Sequence, residues 1–367
     1  MKDSSTCIIA AGGTGGHIYP ALAVAKKLHH SAHQIIWLGA KTAVEKKILD
    51  PMPWQYDAIQ AAPFRGVSWY RKIFAIIGVI KSLFTCLHYI VRYRPKLVIV
   101  TGGYVGLSMG LIAKLTWVPL FVCEQNAKPG TVNKLLSYLA DRVFTAYPQV
   151  FPNVKKEVVV ECGNPIRDDI ASYAQMRAEQ KVFAWDGKFT IMVMGGSQGA
   201  EIFNKNLPRL LGMIADKHRV HVIHQCGKGK SNPSEISAAY NKYGIQAHVL
   251  EYYDNVVDVY QKAHLVISRA GASSLSEISA VALPSILIPL PHAIDDHQNA
   301  NAKHLEDRGG CWVVPEQRFI EGNICANLIT VLLNNTGRYQ RMCRAAQSFS
   351  KTNATEILLK NCNEYLS

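Results

Sequence analysis

Residues 6–17 read TCIIAAGGTGGH, and this stretch decides the fold. Residues 6–11 form a short apolar run, which predicts a buried strand. The glycines at 12, 13, 15 and 16 predict a tight turn, and residues 21–28 have helical periodicity. A strand, a glycine turn and a helix in this order are typical of a βαβ unit on a parallel sheet.

The same order recurs at residues 189–199, where the apolar run FTIMVM precedes the turn GGSQG. Each copy begins a series of short apolar runs that predict strands. The first series continues at 34–38, 97–101, 120–124, 142–145 and 158–161, and the second at 220–225, 247–250, 265–268, 285–290 and 311–314. The chain therefore contains two consecutive α/β patterns of the same kind.

The length of 367 residues also favours two domains. Asn164 and Pro165 mark a boundary, because proline biases the residue before it away from helix. We predict an α/β fold of two Rossmann-like, doubly wound parallel-sheet domains that face a cleft, at residues 1–163 and 164–340. A helical tail at 341–367 is expected to pack back on the first domain.

Composition fits a folded chain that stays inside the cell. Hydrophobic residues make up 49% and charged residues 18% of the sequence, so large cores can form. The nine cysteines are scattered without a CxxC pair or metal-ligand spacing, so we expect reduced, buried thiols and no structural metal. The N-terminal residues lack the long apolar stretch of a secretory signal, and we expect a cytoplasmic location.

The net charge of +13 indicates an anionic partner, and charge alone leaves nucleic acid, membrane and phosphorylated substrate open. Residues 65–96 carry seven basic residues and no acidic one. Within them, 73–91 is apolar but contains Lys81, whose charge makes a membrane span costly. This segment suits a helix lying on a membrane surface, with a patch formed by Lys72, Ile73, Phe74, Ile77, Ile80, Lys81 and Phe84. The alternative is a core helix with solvated lysines.

The first glycine turn has the composition of a ligand-binding loop. Glycines let the backbone approach a ligand and leave N–H groups for phosphate or sugar oxygens, although a tight helix-strand turn is the simpler explanation. The turn does not match GxGxxG, and the second strand ends without an acidic residue to hold a ribose, so NAD or FAD binding is excluded. His17, near a helix N-terminus that favours a neutral ring, is either a general base or a partner in a helix-start hydrogen bond.

Three polar groups of the second half also have two interpretations. Ser197 either binds a diphosphate or caps the following helix. Ser274 and Glu277 fit a capping box, while Glu277 also suits two ribose hydroxyls. Asp295, Asp296 and His297 fit either a metal site or a helix start.

Eight motifs are spread over nearly the whole chain: GGTGGHIYPALAVA (12–25), GGYVG (102–106), EQNAKPGTVNKLL (124–136), GNPIR (163–167), GGSQGA (195–200), HQCGKG (224–229), RAGASSLSEI (269–278) and DDHQNANA (295–302). In this order and spacing they resemble the MurG family. These bacterial enzymes transfer N-acetylglucosamine from its UDP derivative to lipid I, giving lipid II for peptidoglycan. After GGYV, however, Gly106, Leu107 and Ser108 replace the small, Pro-containing continuation usual in the family.

The resemblance implies the two-domain architecture called GT-B and an inverting hexosyltransferase without a cofactor or metal. His17 is similar to the base that the family is proposed to use, with Glu124 as a second acidic candidate. The implied contacts to UDP-N-acetylglucosamine are Thr14, Gly15, Gly16, Asn126, Arg167, Ser197, Tyr253, Ala272, Ser273, Ser274, Leu275, Ser276, Glu277 and Gln298.

The implied partners are UDP-N-acetylglucosamine, lipid I, the anionic cytoplasmic face of the inner membrane, where the protein would be peripheral, and cell-wall synthesis proteins, but no nucleic acid. The implied roles are cell wall biogenesis, cell shape and cell division. Two alternatives remain: a transferase acting on another lipid or glycan, and a catalytically idle, membrane-bound sugar-nucleotide binding protein.

Overall fold

The computed structural model describes residues 5–13, 15–40, 42–59, 69–180, 182–185, 187–196, 199–229, 231–253, 255–291 and 296–367. The side chains of residues 44 and 69–77 lie outside this description. The chain divides into two compact units, one formed by residues 1–167 and 351–367 and the other by residues 168–350.

The first unit alternates strands with helices. In chain order it contains β1 (Thr6–Ala10), α1 (Gly15–His30), β2 (Gln34–Gly39), α2 (Ala43–Leu49), β3 (Gln55–Ala58), α3 (Trp69–Tyr93), β4 (Leu97–Val100), α4 (Gly103–Leu115), β5 (Leu120–Glu124), α5 (Thr131–Leu136), β6 (Arg142–Thr145) and β7 (Val159–Glu161). The strands form a parallel sheet in the order β3-β2-β1-β4-β5-β6-β7. The order reverses between β1 and β4, so the carboxyl ends of these strands form a switch point, where open α/β sheets bind ligands.

The second unit repeats this plan. It contains α6 (Asp168–Ala178), β8 (Phe189–Met194), α7 (Glu201–Gly212), a 3-10 turn (Lys217–Arg219), β9 (Val220–Gln225), α8 (Pro233–Lys242), β10 (Gln246–Leu250), α9 (Val256–Lys262), β11 (Leu265–Ser268), α10 (Ala272–Ala280), β12 (Ser285–Leu287), α11 (His297–Glu306), β13 (Cys311–Val313), α12 (Glu316–Glu321), α13 (Ile324–Leu333) and α14 (Thr336–Phe349). Its parallel sheet has the order β10-β9-β8-β11-β12-β13, with the reversal between β8 and β11.

The predicted strands are confirmed with small shifts at their ends, and the structure adds one strand that the sequence did not indicate. That strand is β3, which reads QYDA and has too few apolar residues to stand out. Strands β1, β4 and β5 are buried along their whole length, as expected for a parallel sheet covered on both faces.

The last helix, α15 (Ala354–Leu366), belongs to the first unit. Leu358 and Cys362 enter its core, and the Ser5 hydroxyl donates to the Leu366 carbonyl at 2.8 Å. The segment before it lies elsewhere, because Met342 and Cys343 of α14 are buried in the core of the second unit. The structure therefore divides the chain at 167 and 350 rather than at 163 and 340.

Two histidines in the second unit, the buried His224 and the partly buried His264, are held uncharged. Burial lowers the pKa of His224 to about 3. Burial and, to a lesser extent, the charge of Arg177 lower the pKa of His264 to about 4. The Nδ1 atom of His264 accepts a hydrogen bond from the backbone N–H of Thr190 at 2.9 Å, which requires that this nitrogen carry no proton.

We expect the free energy of unfolding to fall as the pH drops from about 6.5 to about 4. In this window the unfolded chain binds a proton at each histidine and the folded chain does not, so stability is lost at up to about 1.4 kcal/mol per pH unit per histidine, and less at the partly exposed His264. Urea unfolding at several pH values measures this dependence. The free energy of unfolding of His264→Asn should change less steeply with pH, because the asparagine does not titrate, and its amide oxygen can still accept from the Thr190 N–H. The exposed His218 provides the control, His218→Asn. Equal slopes for wild type and both variants would contradict this prediction.

Candidate active site

The glycine turn of the first unit lies at the switch point between β1 and β4. Gly12 and Gly13 follow β1, and α1 begins at Gly15, so His17 lies in the first turn of that helix, as predicted. The hydroxyl of Thr101, at the end of β4, donates to the His17 carbonyl at 3.2 Å. The Nδ1 atom of His17 lies 3.3 Å from Oε1 of Gln125, which follows β5. The ends of three strands therefore meet at His17.

Glu45 of α2, which the sequence analysis did not single out, holds the glycine turn in place. Its carboxylate is fully buried and accepts from the Gly13 N–H at 2.5 Å, the Ala40 N–H at 2.8 Å and the Tyr56 hydroxyl at 3.1 Å. It also closes a capping box with Thr42 at the start of α2. The Thr-x-x-Glu spacing at 42–45 was the available signal, and it indicates only a helix start.

The carboxylate of Glu124, the second candidate base, is occupied by its own loop. Its Oε1 accepts from the backbone and side-chain N–H groups of Asn126 at 2.9 and 3.1 Å. Its Oε2 accepts from the Gly130 N–H and from Nδ2 of Asn133, both at 2.9 Å. Four hydrogen bonds to one buried carboxylate fix the loop between β5 and α5, and place Asn126 beside Glu124.

The second glycine turn occupies the equivalent switch point, between β8 and β11. The Gly199 N–H donates to the Gly196 carbonyl at 3.0 Å, so the chain doubles back directly after β8. Gly199 also packs against the carbonyl of Cys226 at the end of β9. Ser197, like Thr14 of the first turn, lies outside the described residues.

The capping box predicted at Ser274 and Glu277 is wrong. Helix α10 begins at Ala272 with Gly271 as its N-cap, and no side chain caps it. Ser274 therefore lies within the first turn, where its side chain cannot serve as the cap. The helix starts directly at the end of β11, and its N-terminus carries the positive end of a helix dipole at the switch point.

The implied donor contacts along α10 divide into two faces. Ser273, Ser274, Ser276 and Glu277 are partly exposed, whereas Leu275 is buried in a core cluster with Leu287 and Leu305. Ala272 is also buried. Oε2 of Glu277 accepts a hydrogen bond from the Tyr260 hydroxyl at 3.2 Å. Leu275 is therefore a packing residue, and its backbone alone is available to a ligand.

Tyr253 follows β10 and is buried, which raises the pKa of its phenol. Its hydroxyl has no hydrogen-bond partner among the described residues.

Gln298 of α11 links two strand ends of the second sheet. Its Oε1 accepts from the Ala270 N–H at 3.2 Å and from the Leu290 N–H at 3.0 Å, which ties the loop after β11 to the loop after β12. The guanidinium of Arg269 forms an ion pair with Glu316 at 2.6 Å and donates to the carbonyl of Ile288 at 3.1 Å. The amide of Gln298 therefore lies at the strand ends of the switch point, while the guanidinium of Arg269 binds the chain that follows β12.

The remaining candidates are Arg167 and the aspartate pair before α11. Arg167 is partly exposed and is the last residue of the range 1–167 in the first unit. Asp296 is the N-cap of α11, which favours the helix-start interpretation of the aspartate pair. No group of three or more histidine, cysteine or acidic residues in the described part of the chain is arranged to hold a metal ion.

Two α/β units with matching strand order, each carrying a glycine turn at its switch point, fit the class of two-domain GT-B glycosyltransferases that the family resemblance implies. The family models agree with this class. The glycosyltransferase family 28 N-terminal domain matches residues 7–145, and the family 28 C-terminal domain matches residues 190–357.

Curated relatives match over almost their whole length. The UDP-N-acetylglucosamine--N-acetylmuramyl-(pentapeptide) pyrophosphoryl-undecaprenol N-acetylglucosamine transferase of Dechloromonas aromatica is 34% identical, with 98% of this chain and 99% of the relative covered. The transferase of the same name from Shewanella baltica is 37% identical, with 97% and 96% covered. The chain belongs to the MurG family within glycosyltransferase family 28.

Solved structures support the fold. Acinetobacter baumannii MurG superposes with a TM-score of 0.78 at 28% identity, covering 98% of this chain and 99% of that one. The UDP-GlcNAc 2-epimerase of Neisseria meningitidis reaches a TM-score of 0.67 at 13% identity, covering 98% and 100%, and this likeness concerns the fold alone.

Proposed function

We propose that this protein is an inverting hexosyltransferase. It moves N-acetylglucosamine from UDP-N-acetylglucosamine to the muramyl sugar of lipid I and so forms lipid II. The full-length match to transferases with this name carries the proposal. The repeated switch-point architecture adds an independent physical argument, because each sheet has its own place for a ligand at the carboxyl ends of its strands.

The second unit binds the donor. The N-terminus of α10 offers backbone N–H groups and a helix dipole to the diphosphate, and the turn at 195–199 approaches it with glycine backbone. Glu277 accepts hydrogen bonds from the vicinal ribose hydroxyls, and the Tyr260 hydroxyl holds its carboxylate in place. Gln298, fixed through its oxygen, donates from its amide nitrogen. The donor contacts assigned to Thr14, Gly15, Gly16, Asn126, Arg167 and Ser197 rest on the family resemblance.

His17 is the general base of the transfer. Its Nε2 takes the proton of the acceptor hydroxyl, and the oxygen attacks the anomeric carbon from the side opposite UDP. The bond between this carbon and the UDP oxygen breaks, and UDP leaves with the electron pair, so the configuration inverts. Glu124 is the weaker candidate because four hydrogen bonds from its own loop occupy its carboxylate.

The direct test is the release of UDP from UDP-N-acetylglucosamine by the purified protein, with and without a lipid I analogue. We expect release that depends on the analogue and a disaccharide product of inverted configuration. Release that required another lipid or glycan acceptor would assign a different transferase activity. Donor binding without any acceptor-dependent release of UDP would contradict the proposal and indicate a sugar-nucleotide binding protein instead.

The membrane surface is the second proposed partner. No helix in the described residues is long and apolar enough to cross a membrane. On α3, however, Ile80, Phe84 and Val91 are exposed and fall within about 40° of one another around the helix axis. The exposed Lys81 and Arg92 lie along one side of this stripe, where they can meet the headgroups of an anionic bilayer. The side chains of Lys72, Ile73, Phe74 and Ile77 lie outside the described residues.

Helix α4 packs on α3, and the end of α4 and the residues after it expose further apolar groups. Leu115 is 74% exposed and Trp117 is 93% exposed. Trp117 also has a φ of 61°, a left-handed conformation that is costly for a bulky residue. Tryptophan is favoured at the level of lipid headgroups, so contact with a membrane gives this exposed ring a role.

Replacing Phe84 and Trp117 together by serine should weaken binding to vesicles that contain phosphatidylglycerol by about 10- to 100-fold, because two apolar side chains no longer enter the bilayer. Sedimentation with the vesicles measures the change, and wild-type binding should weaken with added salt. Met213→Ser, which removes an exposed apolar side chain from the second unit, is the control and should bind like wild type. Wild-type binding by the double variant would contradict the surface assignment.

A further inference from the structure

Gln125 contacts the imidazole of His17 from a buried position. It directly follows β5 and is only 2% exposed. Its Nε2 donates to the carbonyl of Cys123 at 3.1 Å. Its Oε1 lies 3.3 Å from Nδ1 of His17. The two residues are separated by 108 positions in the chain, so only the sheet brings them together.

The contact with Cys123 determines which way the amide of Gln125 faces. A backbone carbonyl can only accept, so the NH₂ group must point toward Cys123. The opposite orientation would place two acceptor oxygens against each other and lose a hydrogen bond in a buried position. The oxygen of Gln125 therefore faces His17, and an amide oxygen can only accept. The hydrogen must be on Nδ1 of His17.

Gly102 packs against the imidazole ring of His17. A Cβ atom at this position would lie 3.1 Å from Cε1 and 3.3 Å from Nδ1 of His17, tighter than most packed contacts. The backbone of Gly102 has a φ of 112°, which favours glycine. Nδ1 and Cε1 are thus packed against Gly102 and Gln125, and Nε2 has no hydrogen-bond partner among the described residues.

We propose that Gln125 is a positioning residue that holds His17 in the tautomer protonated on Nδ1, so that the lone pair of Nε2 accepts the proton of the acceptor hydroxyl. This inference rests on the proposed role of His17 as the base. A neutral imidazole has one N–H group, and fixing it on Nδ1 leaves Nε2 as the basic nitrogen. When Nε2 takes the proton, the Nδ1–H group keeps its hydrogen bond to Gln125.

The nearby charged groups do not replace Gln125 in this role. The carboxylate of Glu45 on α2 accepts from the N–H groups of Gly13 and Ala40. Glu124 of β5 is directed to the loop before α5. Gln125 is the residue whose acceptor faces the imidazole in the described part of the first unit.

The Gln125→Met variant keeps the length of the side chain and removes the acceptor. We expect kcat to fall by about 10- to 100-fold, because part of the His17 population then has its hydrogen on the wrong nitrogen. The KM for UDP-N-acetylglucosamine and the Tm should stay close to wild type. Gln125→Glu restores an acceptor, and its carboxylate favours the imidazolium. In that variant the acidic limb of the kcat/KM profile should move to higher pH by about one unit.

A role limited to packing would lower Tm and raise KM without moving the pH profile, and that result would overturn the inference. So would a Gln125→Met variant with wild-type kcat and a wild-type profile.

Nitrogen-15 spectra of histidine-labelled protein test the tautomer without any turnover. The signals of His17 among the 13 histidines are assigned by their loss in His17→Ala. At alkaline pH they should report hydrogen on Nδ1 in wild type and a mixture in Gln125→Met. Hydrogen on Nε2 in wild type would overturn the inference whatever the role of His17. A normal turnover of His17→Ala, with the expected tautomer, would instead remove the base assignment alone.

Discussion

The His17→Ala variant is expected to bind UDP-N-acetylglucosamine with nearly wild-type affinity but to transfer the sugar at least about 100-fold more slowly. The imidazole lies at the switch point of the first sheet and contacts Gln125 and Gly102, while the hydroxyl of Thr101 donates to the backbone carbonyl of His17, which the variant keeps. The donor contacts proposed for α10 and Gln298 come from other residues. Loss of the ring therefore removes the proton acceptor and leaves donor binding in place.

Acceptor-dependent UDP release measures the rate, and calorimetry measures the affinity for the donor. His30→Ala is the matched control, since it removes an exposed histidine from the last turn of the same helix and should retain full activity. Wild-type turnover by His17→Ala would remove His17 from catalysis. If Glu124→Gln alone abolished transfer while the protein stayed folded, the base assignment would pass to Glu124.

The Gly195→Ala variant should lose about 100-fold in kcat/KM for the donor, mainly through KM. A Cβ atom there would lie 2.1 Å from the backbone nitrogen of Ala200 and 2.3 Å from the carbonyl carbon of Gly199. These are backbone atoms, so the turn after β8 must open to admit the methyl group. A displacement of about 1 Å in a binding loop is enough for a loss of this size.

Gly187→Ala is the control, because it strains the chain before β8 without touching the turn that follows this strand. Gly187 has a φ of 76°, and a Cβ there meets nothing within 4 Å. It precedes β8 at the opposite end from the turn, so the variant should lose about 1–2 kcal/mol of stability through backbone strain and keep its donor affinity. Isothermal titration with UDP-N-acetylglucosamine compares the two variants. Equal donor affinity in Gly195→Ala and wild type would remove this turn from the donor site.

Local patterns predicted most of the strands because each buried strand of a parallel sheet is a short apolar run. The residues QYDA of β3 lack that signal, since an edge strand needs fewer apolar side chains. The capping box at Ser274 failed for a related reason. The spacing from Ser274 to Glu277 fits a helix start equally well when the helix has already begun, as α10 has at Ala272.

The candidate site was predicted only in part. The glycine turns and His17 stand out because they occur directly after a strand, where ligand-binding loops lie. Glu45 and Gln125 do not stand out, because the roles inferred for them depend on partners 32 and 108 positions away. Leu275 matched a motif, yet the rotation of α10 turns its side chain into the core. A motif gives the residue types, and the helix geometry decides which of them face a ligand.

The sequence by itself determined two doubly wound units, the positions of their glycine turns and the family to which the chain is similar. Strand and helix periodicity and turn chemistry are local properties, so they can be predicted without coordinates. Only the tertiary structure decided that α15 joins the first unit and that Glu45 holds Gly13. It also brought the Gln125 amide to within 3.3 Å of Nδ1 of His17. These features depend on residues far apart in the chain, and the order of the strands in each sheet brings them into contact.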